Sequence, residues 1–290
     1  MNARSSETRL RALDRLNFVL TNRVPRALLT RFMGWFSRIR QPLVRDLSIA
    51  LWQRFGDLDL RDAKKSRFDS VHDCFTRELR PGTRPLDADP DVLVSPCDGI
   101  VGACGSVLGT DVFQAKGLVY RLDELLSDAG LARYYRDGCY STLRLTAGMY
   151  HRFHAPQDCT VEQVSYVPGD VFNVNPPAVA LIERLYCRNE RAVIRSRLRH
   201  GAELVTLVPV AAILVGTIRL HFIEPLLHMP YRGPQRIDCA APLSKGAEIG
   251  WFEHGSTLLI FAPSGFALCD GIATGARIRM GQRLIRRLDD

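Results

Sequence analysis

Lysine is scarce in this sequence: only four occur, at positions 64, 65, 116 and 245, and none sits in a convincing cofactor motif. That argues against an enzyme carrying pyridoxal phosphate on a lysine. Long apolar runs are missing too. No stretch approaches the roughly 18 to 20 residues that a membrane-spanning helix needs, so a polytopic membrane protein is excluded and a membrane-surface protein is not. The eight cysteines include no CxxC pair, and the shortest gap, Cys97 to Cys104, fits no zinc template. Reduced, structural thiols in a cytosol-facing protein are expected. A cleavable signal peptide is not expected either, because the start is Arg-rich and broken by polar residues; a mitochondrial transit segment would share that composition. Internal repeats and low-complexity linkers are lacking.

What remains is ordinary globular composition. With 290 residues, 46% hydrophobic and 24% charged, the chain can bury a core without staples, and bulk disorder, collagen and coiled coil are excluded. The net charge of +8 is concentrated. Residues 1–40 hold nine arginines against two acids, Glu7 and Asp14, a local +7. A nucleic-acid binder would spread basic residues over its folded body, so no nucleic acid is expected as a partner.

Residues 26–40 place Leu28, Phe32, Trp35, Phe36 and Ile39 at helical spacing between arginines, with Pro25 suited to the first turn. Residues 43–55 repeat the pattern through Leu43, Leu47, Leu51 and Phe55. Two helices packed on the body are one reading. The sharper one is a pair that also lies in a lipid interface. From about residue 90 the apolar runs become short, β-branched and bounded by Gly or Pro. Segments 91–104, 160–172, 191–198, 203–222 and 256–263 read as strands, and 121–134 reads as a helix. The fold class is therefore α+β: a β-rich catalytic body, 61–290, preceded by a basic amphipathic helical region, 1–60, that associates with membranes.

Four segments can carry chemistry. In SPCDG (95–99), Pro96 stiffens the approach and Gly99 permits a sharp turn after Asp98; an Asx-turn is the plain alternative. In MYHRFHAP (149–156), His151 and His154 share a face on a helix and oppose each other on a strand. No Glu stands between them and no third ligand follows, so acid/base work is more natural than metal. GDVFNVNPP (169–177) makes a rigid turn, either a pocket wall or a connector. Gly255-Ser256-Thr257 leads into a strongly apolar strand, most simply a hairpin or bulge. A serine there can also attack the preceding carbonyl once a histidine takes its proton. β-Elimination of the resulting ester and loss of ammonia leave an N-terminal pyruvoyl group.

Together these segments resemble the phosphatidylserine decarboxylases, pyruvoyl-dependent proenzymes of bacterial type, over most of the chain. The resemblance includes LTRFMGWFSR near the start, FTRELRPGTRPLDADPDVLVSPCDGIV (75–101), FQAKGLVYRLDELL (113–126) and YHRFHAP (150–156). It continues in YVPGDVFNVNP (166–176), RNERAV (188–193), VAAILVGTI (210–218) and KGAEIGWFEHGSTLLIFAP (245–263). It implies cleavage between Gly255 and Ser256 into a beta chain, 1–255, and an alpha chain, 256–290, which stay partners. Asp98 would orient His154, the base for self-cleavage. His151 would serve decarboxylation, and Ser256 would become the covalent pyruvoyl cofactor. The family pattern commonly has an apolar residue where His254 stands, which leaves the scissile bond intact and can change processing rate or pH dependence. The implied activity converts phosphatidylserine to phosphatidylethanolamine and CO2 through a Schiff base with the pyruvoyl ketone. The implied setting is peripheral, on the cytoplasmic face of a bacterial membrane with an anionic surface, with a homodimer as one permitted assembly. Two alternatives compete: a pyruvoyl decarboxylase of a soluble amino acid, and a non-enzymatic β-rich phosphocarrier-like module.

Overall fold

The computed structural model describes residues 26–115, 118–213, 217–224, 227–228, 231, 233–253 and 256–288. Residues 1–25 of the N-terminal region, with His254 and Gly255 ahead of Ser256, lie outside them. Helices α1 (Arg26–Phe36) and α2 (Pro42–Phe55) form where the amphipathic spacing predicts. Pro42 opens α2, and Gln41 caps it by accepting from the Val44 amide at 2.7 Å. A short helix, α3 (Val71–Phe75), is capped by Ser70.

The strands follow: β1 (Val92–Val94), β2 (Gly99–Ser106), β3 (Asp111–Ala115) and β4 (Leu118–Arg121). The segment 121–134 is two helices rather than one, α4 (Leu122–Leu126) and α5 (Ala129–Tyr134). Ser127 in the left-handed region (φ 51°) stops the first, and Asp128 caps the second through the Leu131 amide. Next come β5 (Cys139–Leu145), β6 (Arg152–His154), β7 (Cys159–Val167), α6 (Pro176–Leu181), α7 (Leu185–Arg188), β8 (Arg191–Leu198) and β9 (Leu204–Val210). The run 203–222 also divides, giving β9 and then β10 (Thr217–Leu220) in a different sheet. The chain continues with β11 (Leu227–His228), β12 (Arg236–Leu243), β13 (Glu248–Phe252), β14 (Ser256–Ala262), β15 (Phe266–Leu268), β16 (Arg277–Ile278) and β17 (Arg283–Arg287).

The large sheet has eight strands in the order β12-β7-β8-β9-β14-β5-β2-β16, every pair antiparallel. A four-stranded sheet, β11-β10-β13-β6, carries the histidine motif, and a three-stranded one runs β1-β17-β15. β14 reads STLLIFA and is buried throughout. Flanked by β5 and β9, it accounts for the apolar run without polar alternation: both of its faces are covered. Each such Leu, Ile or Phe contributes roughly 1.5–3 kcal/mol on burial, so β14 is the strand the fold can least lose. The body is β-rich, with helices leading into it, as the patterning predicts.

Candidate active site

The large sheet ends in a cluster of loops. Ser256, the first residue of β14, is paired with Leu145, the last of β5. One step inward, Arg144 stands between Thr257 of β14 and Ile100 of β2. The SPCD segment precedes Gly99, the loop 146–151 follows Leu145, and β9 ends at Val210 on the same side. Gly99 starts a strand with φ outside the left-handed region. It serves close approach rather than a sharp turn, because a Cβ there would lie 3.3 Å from that of Leu143.

Ser256 is completely buried, and its Oγ has no hydrogen-bond partner among the described residues. An unsatisfied buried hydroxyl costs about 1–3 kcal/mol; Ser141, Thr142 and Thr257 of β5 and β14 are left in the same state, so its place at the head of β14 is what sets Ser256 apart. His151 is also fully buried. Its ring stacks on Phe75 with centroids 4.0 Å apart, and Nε2 lies 3.0 Å from the Thr146 carbonyl, next to Leu145. That carbonyl accepts only if Nε2 carries the proton. The structure therefore places His151 beside the strand partner of the serine.

His154 lies farther along β6, opposite Glu248. Its amide donates to the Pro96 carbonyl at 2.7 Å, which ties the histidine motif to SPCDG. Nδ1 is 2.9 Å from the Gly246 carbonyl, and the Tyr150 hydroxyl is 3.0 Å from Nε2. A carbonyl at Nδ1 fixes the proton there, so Nε2 accepts from Tyr150 and is the basic nitrogen. Burial lowers the His154 pKa below its ordinary 6.5, with the Gly246 hydrogen bond opposing. Asp98 is not hydrogen-bonded to this ring. It accepts from Arg84 Nη2 at 2.6 Å, Arg84 Nε at 2.9 Å and the Met280 amide at 2.9 Å. The ring's orientation comes from Gly246 and Tyr150, while Asp98 pins the turn through Arg84.

Glu253 stands three residues before Ser256. It is buried, and Arg38 (2.7 Å), Arg219 (3.5 Å) and His72 (3.6 Å) surround it. Burial alone would raise its pKa, but the hydrogen bond from His72 and the charge of Arg38 hold it at about 2. The turn after α1 is thus fastened to the segment leading into β14. Arg152 makes a second tie, donating to Glu248 at 2.8 Å and to the Thr76 carbonyl after α3 at 2.7 Å.

A cavity of about 490 Å³ opens at this sheet end. Its walls are Arg144–Ala147, Asn173–Asn175 and Phe75, with Met33 and Phe36 of α1 and Trp52 of α2. NVNPP therefore does both things expected of it: it lines the cavity, and Asn175 caps α6. Sequence patterning missed Tyr150, Gly246, Arg84 and Phe75 as partners of the named residues. All four sit inside the quoted motifs, and only the fold shows what they touch. All eight cysteines are unpaired thiols, as expected.

Fold and cleft describe a β-rich body with a candidate site at a sheet end, beside amphipathic helices. The sequence profile of the phosphatidylserine decarboxylases matches residues 71–286. The chain is similar to the phosphatidylserine decarboxylase proenzyme of Halorhodospira halophila, 37% identical across 98% of this chain and 99% of the relative. Those of Sodalis glossinidius (35%, 94% and 96%) and Pseudomonas aeruginosa (35%, 93% and 96%) match almost as fully. The chain belongs to the phosphatidylserine decarboxylase family.

Proposed function

We infer that this chain is a phosphatidylserine decarboxylase, made as a proenzyme that cuts itself between Gly255 and Ser256. Near-full-length likeness to proenzymes of that name supports the activity. The observation that carries the self-cleavage is the buried, unpartnered Ser256 hydroxyl at the head of the central strand. In the proposed step, Oγ attacks the Gly255 carbonyl and His154, assigned as base by its motif although its ring meets Tyr150 and Gly246 rather than Ser256 here, takes the proton. The amide becomes an ester, and the freed Ser256 nitrogen takes a proton. Elimination releases the Gly255 carboxylate and leaves dehydroalanine. Water then displaces ammonia to give the pyruvoyl end.

The residues present fit such a group: position 256 is buried, heads a rigid strand and faces no competing hydrogen bond. When present, the pyruvoyl ketone is an electron sink for a substrate amine's α carbon after CO2 leaves. His151, fixed by Phe75 and the Thr146 carbonyl, is the proton carrier proposed for that carbon. The N-terminal region, 1–60, brings this cleft to the lipid leaflet, and the rest of the chain, 61–290, holds the chemistry. No helix among the described residues is long and apolar enough to cross a membrane. We place the protein peripherally, on an anionic membrane at the cytoplasmic face.

Two expectations arise here. Because burial lowers the His154 pKa, its neutral, basic form persists to lower pH than an ordinary imidazole would. Appearance of the C-terminal fragment should be insensitive to pH above about 6.5 and slow only below it. The sign for stability agrees. Unfolding restores the higher pKa, so this contribution is full above the unfolded value and is lost as pH falls through the folded one. A cleavage rate that instead halves near pH 7 would assign the base elsewhere.

The second concerns lipid. Phe36 and Met33 of α1 face the cavity, whereas Leu28, Phe32 and Trp35 point outward. α2 exposes Leu43, Leu47, Leu51 and Phe55, the last 82% accessible. These outward residues give both helices an exposed apolar face, while Met33, Phe36 and Trp52 of the same helices line the cavity. Replacing the four on α2 by serine removes no core packing, yet should weaken co-sedimentation with anionic vesicles by roughly a hundred-fold or more, at about 1 kcal/mol per side chain. Turnover of a soluble short-chain substrate should persist. Salt should weaken the remaining attraction from the arginines. Equal vesicle binding by both proteins would make that face a packing surface only.

A further inference from the structure

Arg144 is a half-buried cation without a counter-ion among the described residues. Other sequestered arginines have partners: Arg77 and Arg191 donate to backbone carbonyls, Arg84 to Asp98 and Asp62, and Arg152 to Glu248. Arg144 makes no hydrogen bond or ion pair among the described residues, and burial weighs against its charge. A partly shielded guanidinium with no protein partner is free to take an anion.

Its place says what arrives. Arg144 and Val174 line both the 490 Å³ cavity, which Leu145, the strand partner of Ser256, also lines, and a second one of about 710 Å³. Val101, Phe113, Pro176 and Val179 give that second cavity apolar walls. Arg144 is the one charged side chain lining either cavity among the described residues. It is paired with Thr257 and adjoins Leu145, the partner of Ser256. We propose that Arg144 binds the phosphodiester of the lipid substrate and so selects a phospholipid over a free amino acid. In the substrate, the phosphorus is three bonds from the α carbon that must sit at residue 256. The strand pairing sets Arg144 next to the partner of that residue, at the end of β5 where the chain turns into the loop, and the planar fork of a guanidinium suits two phosphate oxygens.

This rests on the decarboxylase reading above. The test compares Arg144→Gln with wild type on two soluble substrates, short-chain phosphatidylserine and an O-alkylserine, which shares the amine and carboxylate but lacks phosphate. The ratio of kcat/KM for the phospholipid to that for the O-alkylserine should fall ten- to hundred-fold, as expected for losing a charge-assisted hydrogen bond. Arg144→Lys should restore part of it. A ratio unchanged within two-fold overturns the proposal, since the arginine then meets the shared carboxylate or only packs. No decarboxylation of phosphatidylserine by wild type would instead sink the activity itself. If the variants do not mature, inhibition of wild type decides. Short-chain phosphatidylglycerol should inhibit at least ten-fold more strongly than the matching diacylglycerol and than inorganic phosphate. Equal inhibition by the diacylglycerol would remove the anion site, and equal inhibition by phosphate would make it a free-phosphate site.

Discussion

Ser256→Ala is expected to yield one chain of 290 residues where the unaltered protein yields fragments of 255 and 35. Denaturing mass spectrometry reads this directly. The wild-type small fragment should have a blocked amino terminus that reacts with a carbonyl reagent. The variant is a clean test because Oγ makes no hydrogen bond among the described residues. Removing an unsatisfied hydroxyl from a buried strand should leave stability unchanged or slightly improved. Loss of cleavage therefore reports chemistry rather than misfolding, and decarboxylation should vanish with it. If the alanine variant still splits at the same bond, a foreign protease makes the cut and the proposed mechanism is wrong.

The two histidines should separate. His154→Ala should block cleavage or slow it by about 10²–10⁴-fold, the usual effect of losing a general base. Asp98→Asn should slow it as well. Its route differs from direct orientation of the ring: the substitution leaves Arg84 facing only Asp62 and loosens the turn that holds Pro96 against the His154 amide. His151→Ala should still cut, at least partly, and then decarboxylate poorly. The fragment pattern and CO2 release, followed in parallel, distinguish the steps. An uncut His151→Ala beside a normally cut His154→Ala would reverse the roles. That outcome has a structural route, because His151 is the ring held beside Leu145 and Ser256.

The N-terminal helices were legible because amphipathic spacing is local and strong. The strands were legible as apolar runs but not as a sheet: β14 lies between β9 and β5, and no local signal records pairings so distant along the chain. The two broken runs failed for local reasons. Ser127 enters the left-handed region although it is not glycine, and 203–222 stays apolar while the chain changes sheet. In the site, family motifs supplied Asp98, His151, His154 and Ser256 by residue type. They did not reveal that Asp98 is committed to Arg84, or that a backbone carbonyl holds His154. Arg144 looked like an ordinary polar residue within β5. Its meaning depends on which side chains fail to meet it, which only the folded chain reveals.

The 35 residues from Ser256 onward are threaded through the molecule. They supply β14 to the middle of the large sheet, β16 to its edge, and two of the strands of the three-stranded sheet. A cut ahead of Ser256 severs no strand, so the fragments stay clasped by ladders on both sides of β14. What changes is reversibility. An intact chain that unfolds can search for its fold alone, whereas separated fragments must meet by diffusion, at a rate set by their concentration. Once the proposed cut is made, the peptide bond that guided the strand into place would no longer exist to guide it back. Such a molecule is assembled once, and the kinetic barrier to opening, rather than an equilibrium, sets its working lifetime.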